Sequence, residues 1–225
     1  VRAIVAELGK FSSDLLDNPS TRCACMLVLD TSGSMAGAPV AELNAGLQGF
    51  IEAVRDDEIA SYAIDLGIIT AGGTVSEVLP FTSASAIDRH QPLQASGQTP
   101  LGGAVQLALD RLEARKAQYK ANGVAYYQPW LVLISDGEPT DAWQQVAAQS
   151  RLLSEQRRLV VMPIGVQGAN LSVLGQFSSR PAKQLSGLKF REFFEWLSAS
   201  MSRVSSSNST SASVSLPKTD SWDSI

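Results

Sequence analysis

Cysteine and histidine are scarce in this sequence: its 225 residues include two cysteines and one histidine. Cys23 and Cys25 stand two positions apart, too close in an extended strand for an unstrained disulfide, so a disulfide framework is excluded and reduced thiols are expected. Zinc is poorly served as well, because these thiols and His90 together fall short of the usual four ligands. Strand packing is the expected role of both cysteines. No apolar run reaches the ~18 residues that a membrane span requires, and the chain does not open with a basic start followed by an apolar signal core. Nor does one sign of charge dominate. With 18 basic and 22 acidic residues the net charge is -4, which gives no electrostatic reason to expect nucleic acid as a partner. These absences lead us to expect a cytoplasmic protein that engages neither membrane nor nucleic acid.

Phosphate-cradling glycine patterns are missing too. Segments 97–103 and 165–168 are rich in glycine, yet neither spells Gly-x-x-x-x-Gly-Lys or Gly-x-Gly-x-x-Gly, so nucleotide binding has no support. A Gly-x-Ser-x-Gly nucleophile elbow is also absent, since Ser32 rather than glycine stands two residues before Ser34.

What is there is the composition of a globular protein, 44% hydrophobic and 18% charged, at a length suited to one large α/β domain. Met26 to Asp30 is a short apolar run ending in an acid, as expected of a buried parallel strand. Beyond the polar turn from Asp30 to Ser34, Val40, Leu43, Leu47, Phe50, Ile51 and Val54 recur at spacings of three and four, the period of an amphipathic helix with Pro39 in its first turn. Ile59 to Ile69 and Thr74 to Leu79 read as strands of a hairpin joined by Thr70-Ala71-Gly72-Gly73. A long irregular stretch follows, about 80 to 100, of a length that is often functional inside a compact domain.

A helix from about Leu101 to Asn122 is closed by Asn122-Gly123. Trp130 to Ser135 is a second apolar run and, like the first, ends in an acid, Asp136. Asp141 with Gln144 three residues on matches a capping box for a helix to about Gln156. Leu159 to Ile164 is a further strand, and helices are expected over 170–177 and 190–204, the latter burying Phe190, Phe193, Phe194 and Leu197. From Ser205 the character changes: seven of the eleven residues from 205 to 215 are serine. The expected organisation is one domain over 1–204, with its core from about residue 20, followed by a disordered Ser-rich tail over 205–225.

This alternation predicts a Rossmann-like, open, mostly parallel sheet with one antiparallel edge strand and helices on both faces. Ligands of such folds sit beyond the carboxyl ends of the strands where the strand order reverses. Asp30 and Asp136 both stand at strand carboxyl ends, and a chain that winds outward from the first strand in both directions brings them to one crevice. Asp30-Thr31-Ser32-Gly33-Ser34 offers a carboxylate and two hydroxyls at alternate positions, and Thr99 and Asp136 complete an all-oxygen set suited to a hard divalent cation. Mg²⁺ is the expected ion, with Mn²⁺ or Ca²⁺ as alternatives. A capping turn is the competing structural account of the first three residues. Asp141 and Glu138 are assigned to helix-end roles and left out of the metal set.

The run Leu-Val-Leu-Asp30-Thr-Ser32-Gly-Ser34-Met resembles the metal-ion-dependent adhesion site (MIDAS) of von Willebrand factor A domains, in which an Asp-x-Ser-x-Ser turn, a later Thr and a still later Asp hold the cation. Gly97-Gln98-Thr99-Pro100-Leu101-Gly102 is similar to the Thr element and Ser135-Asp136-Gly137 to the last Asp element. A narrower likeness covers about residues 20 to 204: Arg22-Cys23-Ala24-Cys25, the stretch from Asp136 through Asp141 to Trp143, and the stretch from Gly187 to Ser198 resemble the bacterial tellurium-resistance TerY group. The resemblance implies a cytoplasmic, metal-dependent protein-binding module of tellurite and stress response. Its partner would offer a carboxylate to the metal and is expected to be a kinase or phosphatase of the same system. No catalytic residues are implied. The alternative is a Mg²⁺-dependent phosphohydrolase using Asp30 and Asp136. Haloacid-dehalogenase-type phosphatases, however, place a second Asp where this chain has Ser32, and phosphoryl transfer needs an acid for the leaving oxygen.

Overall fold

A computed structural model describes residues 20–88, 90–166, 168–207 and 214–223, together with Leu15, Asn18 and Thr210. At its centre is a six-stranded sheet of order β3-β2-β1-β4-β5-β6, formed by β1 (Cys23–Asp30), β2 (Ile64–Gly72), β3 (Thr74–Ser83), β4 (Trp130–Ser135), β5 (Val160–Gly165) and β6 (Lys183–Gln184). All neighbours run parallel except β2 and β3, which form the expected hairpin. Helices α1 (Ala38–Asp56), α2 (Ala60–Ala63), α3 (Leu101–Ala121), α4 (Gln144–Glu155), α5 (Leu171–Leu174) and α6 (Phe190–Ser205) make the crossovers and cover both faces.

Side-chain alternation along β1 explains the layering, since successive residues of a strand point to opposite faces. Cys23, Cys25, Leu27 and Leu29 join Leu43, Leu47 and Phe50 of α1 and Phe190, Phe193 and Phe194 of α6 in one core. Ala24, Met26 and Val28 join Leu101, Val105 and Leu109 of α3 and Val146 of α4 in the other. Every residue of β1 and β4 is buried, as continuous apolar runs in a doubly covered parallel sheet require. The chain leaves β1 toward β2 and β3, then returns to lay β4 on β1's other side. The strand order therefore reverses between β1 and β4, where Asp30 and Asp136 emerge.

The opposite end of the sheet is fixed by a buried ionic cluster. Asp65 forms an ion pair with Arg22 at 3.0 Å and accepts from Arg115 at 2.8 Å, and the hydroxyl of Tyr119 donates to the same carboxylate.

Several boundaries differ from the sequence reading for local reasons. Ile59 to Ala63 is not strand, because Asp57 accepts the backbone N–H groups of Ile59 and Ala60 (2.9 and 2.8 Å) and starts a helical turn before β2. β3 runs on to Ser83 through Pro80, which stands unpaired at a register irregularity of this edge strand, a place where proline is tolerated. β6 is too short to leave a period in the sequence. The expected tail needs the largest correction. The helix α6 reaches Ser205, and 214–223 lies against the domain with Trp222 fully buried. Trp222 meets Phe193 edge-on at 5.0 Å and Trp196 at 5.4 Å, while Trp196 Nε1 donates to the Pro217 carbonyl at 2.9 Å. Serine frequency dominated the sequence signal, although a single tryptophan buries enough surface to anchor a polar strap. Ser209, Ser211 and Ser213 lie outside the described residues.

Candidate metal centre

Three loops meet at the carboxyl end of β1. The turn after β1 opens a 3-10 segment, Gly33–Met35, that leads into α1. A second loop, 96–99, is pinned to it by backbone bonds from Ser96 N to the Thr31 carbonyl (2.8 Å) and from Gly33 N to the Gly97 carbonyl (2.9 Å). The third follows β4, and Thr140 N donates to the Thr99 carbonyl at 2.9 Å, tying Thr99 to the loop that carries Asp136. Gly97 is required where the first two loops touch the β2-β3 turn. Its φ is +68°, and a Cβ there would stand 2.5 Å from the Gly73 Cα.

Within this frame the side chains converge. Ser32 and Ser34 hydroxyls lie 2.9 Å apart, and Ser34 Oγ donates to Asp136 Oδ2 at 2.6 Å. Asp30 is fully buried and accepts from Ser32 N at 2.9 Å and from Ser135 Oγ at 2.6 Å. Thr99 is buried, with its main chain bridging to Thr140 and Leu101; its hydroxyl makes no hydrogen bond to the other four residues. Asp136 is half-buried, and Glu138 N donates to its Oδ1 at 3.1 Å.

Neither Asp30 nor Asp136 has a lysine or arginine partner among the described residues. Burial pushes the Asp30 carboxyl above its ordinary pKa; hydrogen bonds from Ser135 and Ser32 partly offset this, and the nearby Asp136 charge adds to it. A buried carboxylate beside a second acid calls for positive charge, which these loops do not supply. No three His, Cys, Asp or Glu side chains gather to hold a metal anywhere among the described residues, this site included, where the oxygens are hydroxyls as much as carboxylates.

Two contributors escaped the sequence reading. Ser135 links Asp30 to the β4 loop, its Oγ accepting from Gly137 N at 3.0 Å while donating to Asp30. Asp141 does not start the helix that follows it. Its carboxylate oxygens accept the N–H groups of Gly102 and Gly103 (2.9 and 2.8 Å) and so cap α3, while α4 begins after Trp143 without a side-chain cap. Pro100 at the head of α3 has no side-chain group to offer, and the absence of a Cβ at Gly102 lets the Asp141 loop approach, since one there would stand 2.8 Å from the Ala142 carbonyl oxygen.

His90 makes no hydrogen bond to Ser32 or Ser34, so the pairing of nucleophile and base that a serine hydrolase requires is not formed. Cys23 and Cys25 are buried on one strand face. Burial, with the charge of Asp65, pushes the Cys23 thiol up to about 12, which makes it a packing group.

A family model for the von Willebrand factor type A domain matches residues 25–196. The chain belongs to the von Willebrand factor type A domain family. Domains of this family are generally interaction modules and often use a metal ion to engage other proteins. Proximal thread matrix protein 1 from the mussel byssus shares the fold at a TM-score of 0.57 and 16% identity, over 82% of this chain and 49% of that one. A von Willebrand factor type A protein from Catenulispora acidiphila matches at 0.56 and 13%, over 81% and 43%. The manganese-loaded TRAP protein of Plasmodium vivax matches at 0.50 and 24%, over 71% and 64%. This chain thus spans about half the length of the first two or less, and likeness at these identities establishes the fold. A comparison with the curated proteins gives no match. No helix among the described residues is long and apolar enough to cross a membrane.

Proposed function

We propose that Asp30, Ser32, Ser34, Thr99 and Asp136 hold a divalent cation, Mg²⁺ as first choice, through which the domain binds a carboxylate of a partner protein. The observation that carries this reading is the buried Asp30 carboxylate without a cationic side chain, beside two hydroxyls and a second acid in one hydrogen-bonded cluster. That donor set fits a hard ion, which takes oxygen ligands and keeps some of its water. When bound, the cation supplies an attractive point for an anionic group. The residues set how strong that attraction is. Hydroxyls of Ser32, Ser34 and Thr99 carry no charge, so ligation by them leaves most of the ion's charge for the partner. Ser135 and the Ser32 N–H hold Asp30 in the orientation that faces the turn.

The same reading makes the protein a binding module rather than an enzyme. Its place in the cytoplasm, and in a bacterial tellurite and stress response with a kinase or phosphatase as partner, is proposed from the TerY-like stretches around Cys23, Asp136 and Phe194. Thermal unfolding tests the cation directly. Mg²⁺ at about a hundred times its dissociation constant adds roughly 2.7 kcal/mol, an upward shift of about 5–10 °C for a domain of this size. Asp30→Ala and Asp136→Ala are expected to abolish the shift. A melting temperature that ignores Mg²⁺ in the unaltered protein contradicts the proposal.

A further inference from the structure

On the other side of the Asp30–Ser34 turn, a cleft of about 400 Å³ runs down the outer part of the sheet, with Thr31 at its upper end. One wall is the row Thr74, Ser76 and Val78, alternate residues of β3 that share a face and are all exposed. The intervening residues of β3 are occupied on the other face, where Val75 packs with the α3 core and Glu77 pairs with Arg111 at 2.8 Å. The opposite wall is the segment 90–94. It is held rigidly to α1, because the Asn44 side-chain amide donates to the Leu93 carbonyl (2.9 Å) and accepts from Leu93 N (2.7 Å).

The cleft has unmet hydrogen-bonding capacity, and among the described residues no Asp, Glu, Lys or Arg lines it. His90 Nε2 is enclosed without a hydrogen-bond partner, and the side chains of Gln91 and Gln94 are likewise uncommitted among the described residues. Hydroxyl and amide side chains of Thr31, Thr70, Thr74, Ser76, Gln91 and Gln94 line this slot over the face of β2 and β3. Such a lining matches the main chain of an extended polypeptide, which repeats at about 6.6–6.8 Å per two residues and seeks hydrogen-bond partners throughout. Continuity with the metal centre through Thr31 sets what such a segment is attached to.

From this geometry we infer that the cleft between β3 and segment 90–94 receives an extended, uncharged stretch of the partner protein, next in sequence to the carboxylate that meets the cation. The inference rests on the cation reading and adds the source of specificity: the metal recognises any acid, whereas the cleft selects its neighbours.

A display library of seven-residue peptides with one fixed Asp, selected on the Mg²⁺-loaded protein, tests this. Enriched peptides are expected to carry small or hydroxyl-bearing residues on one side of the Asp. They should lose at least tenfold in affinity on Ser76→Arg, which projects into the cleft from an exposed position, and severalfold on His90→Ala. Both variants should keep the Mg²⁺ melting shift, which separates loss of the cleft from loss of the metal. Peptides that bind Ser76→Arg and His90→Ala as well as the unaltered protein overturn the inference. So does the recovery of no peptide from protein that shows the Mg²⁺ shift. Concentration-dependent dimerisation abolished by Ser76→Arg assigns the cleft to a second copy and also overturns it. If the unaltered protein shows no Mg²⁺ shift, the cation reading fails and the inference falls with it.

Discussion

Ser135 shows how a site can depend on a residue that touches no ligand. Its hydroxyl is the donor that holds the buried Asp30 carboxylate, and it also accepts the Gly137 N–H of the neighbouring loop. Removing it leaves a charged acceptor short of a partner in a buried setting, so Ser135→Ala should cost about 1–3 kcal/mol in urea unfolding. It should also weaken Mg²⁺ binding relative to the unaltered protein. Asp57 offers a test by pH. Burial alone pushes its carboxyl up, but the N–H groups of Ala60 and Ile59 and the hydroxyl of Ser202 outweigh that and hold it below the usual carboxylate value. A lowered folded pKa contributes stability above the unfolded value, about 3.9, and loses it as the pH falls through the folded value. The melting temperature of the unaltered protein should therefore exceed that of Asp57→Asn at pH 6, and the gap should close in strongly acid solution. The meeting of Asp30, Ser32 and Ser34 was legible because they alternate in one turn, and that of Asp136 because its strand ends beside β1; Thr99 and the holding of a cation by all five are proposed. Ser135 was not legible, because a serine at the end of an apolar run shows nothing of an acid 105 residues away.

At the scale of elements, the cap of α3 is tertiary. Asp141 reaches back 39 and 38 residues to the N–H groups of Gly102 and Gly103 where Pro100 cannot serve, and it thereby couples the Thr99 loop to the Asp136 loop. Asp141→Ala is expected to lower stability by about 0.5–2 kcal/mol, with part of the effect from lost charge at the helix N-terminus. Asp141→Asn should recover much of it, and chemical denaturation followed by circular dichroism measures both. Local spacing suggested a capping box with Gln144, and a pattern three residues long cannot distinguish its own helix from one brought alongside by folding. Long periodic elements fared better. The helix begun at Leu101 and the apolar runs ending at Asp30 and Asp136 stand where their periods placed them, because burial on one or both faces writes itself along the whole element. Short β6 and the turn that Asp57 initiates leave no such record.

Across the whole molecule, the reversal of strand order between β1 and β4 creates the crevice, and this followed from the alternation of strand and helix. The strap at 214–223 did not follow. It closes over α6 and β6 with Trp222 inside the aromatic cluster, Ser186 N bound to the Trp222 carbonyl at 2.8 Å, and Asp223 paired with Lys183. Trp222→Ala should destabilise the domain by about 3–5 kcal/mol, as other large aromatic truncations in a core do, and a loss below 1 kcal/mol in urea would show that the strap is not part of the folded unit.

We propose above that a cation sits among the hydroxyls of Ser32, Ser34 and Thr99 and the carboxylates of Asp30 and Asp136. Anomalous diffraction from crystals soaked in Mn²⁺ locates such an ion without reference to function. A single strong peak is expected within coordination distance of the Ser32 and Ser34 hydroxyls, absent in Asp30→Ala crystals treated alike. A well-ordered loop region with no peak there, or a peak that persists unchanged in Asp30→Ala, would contradict it.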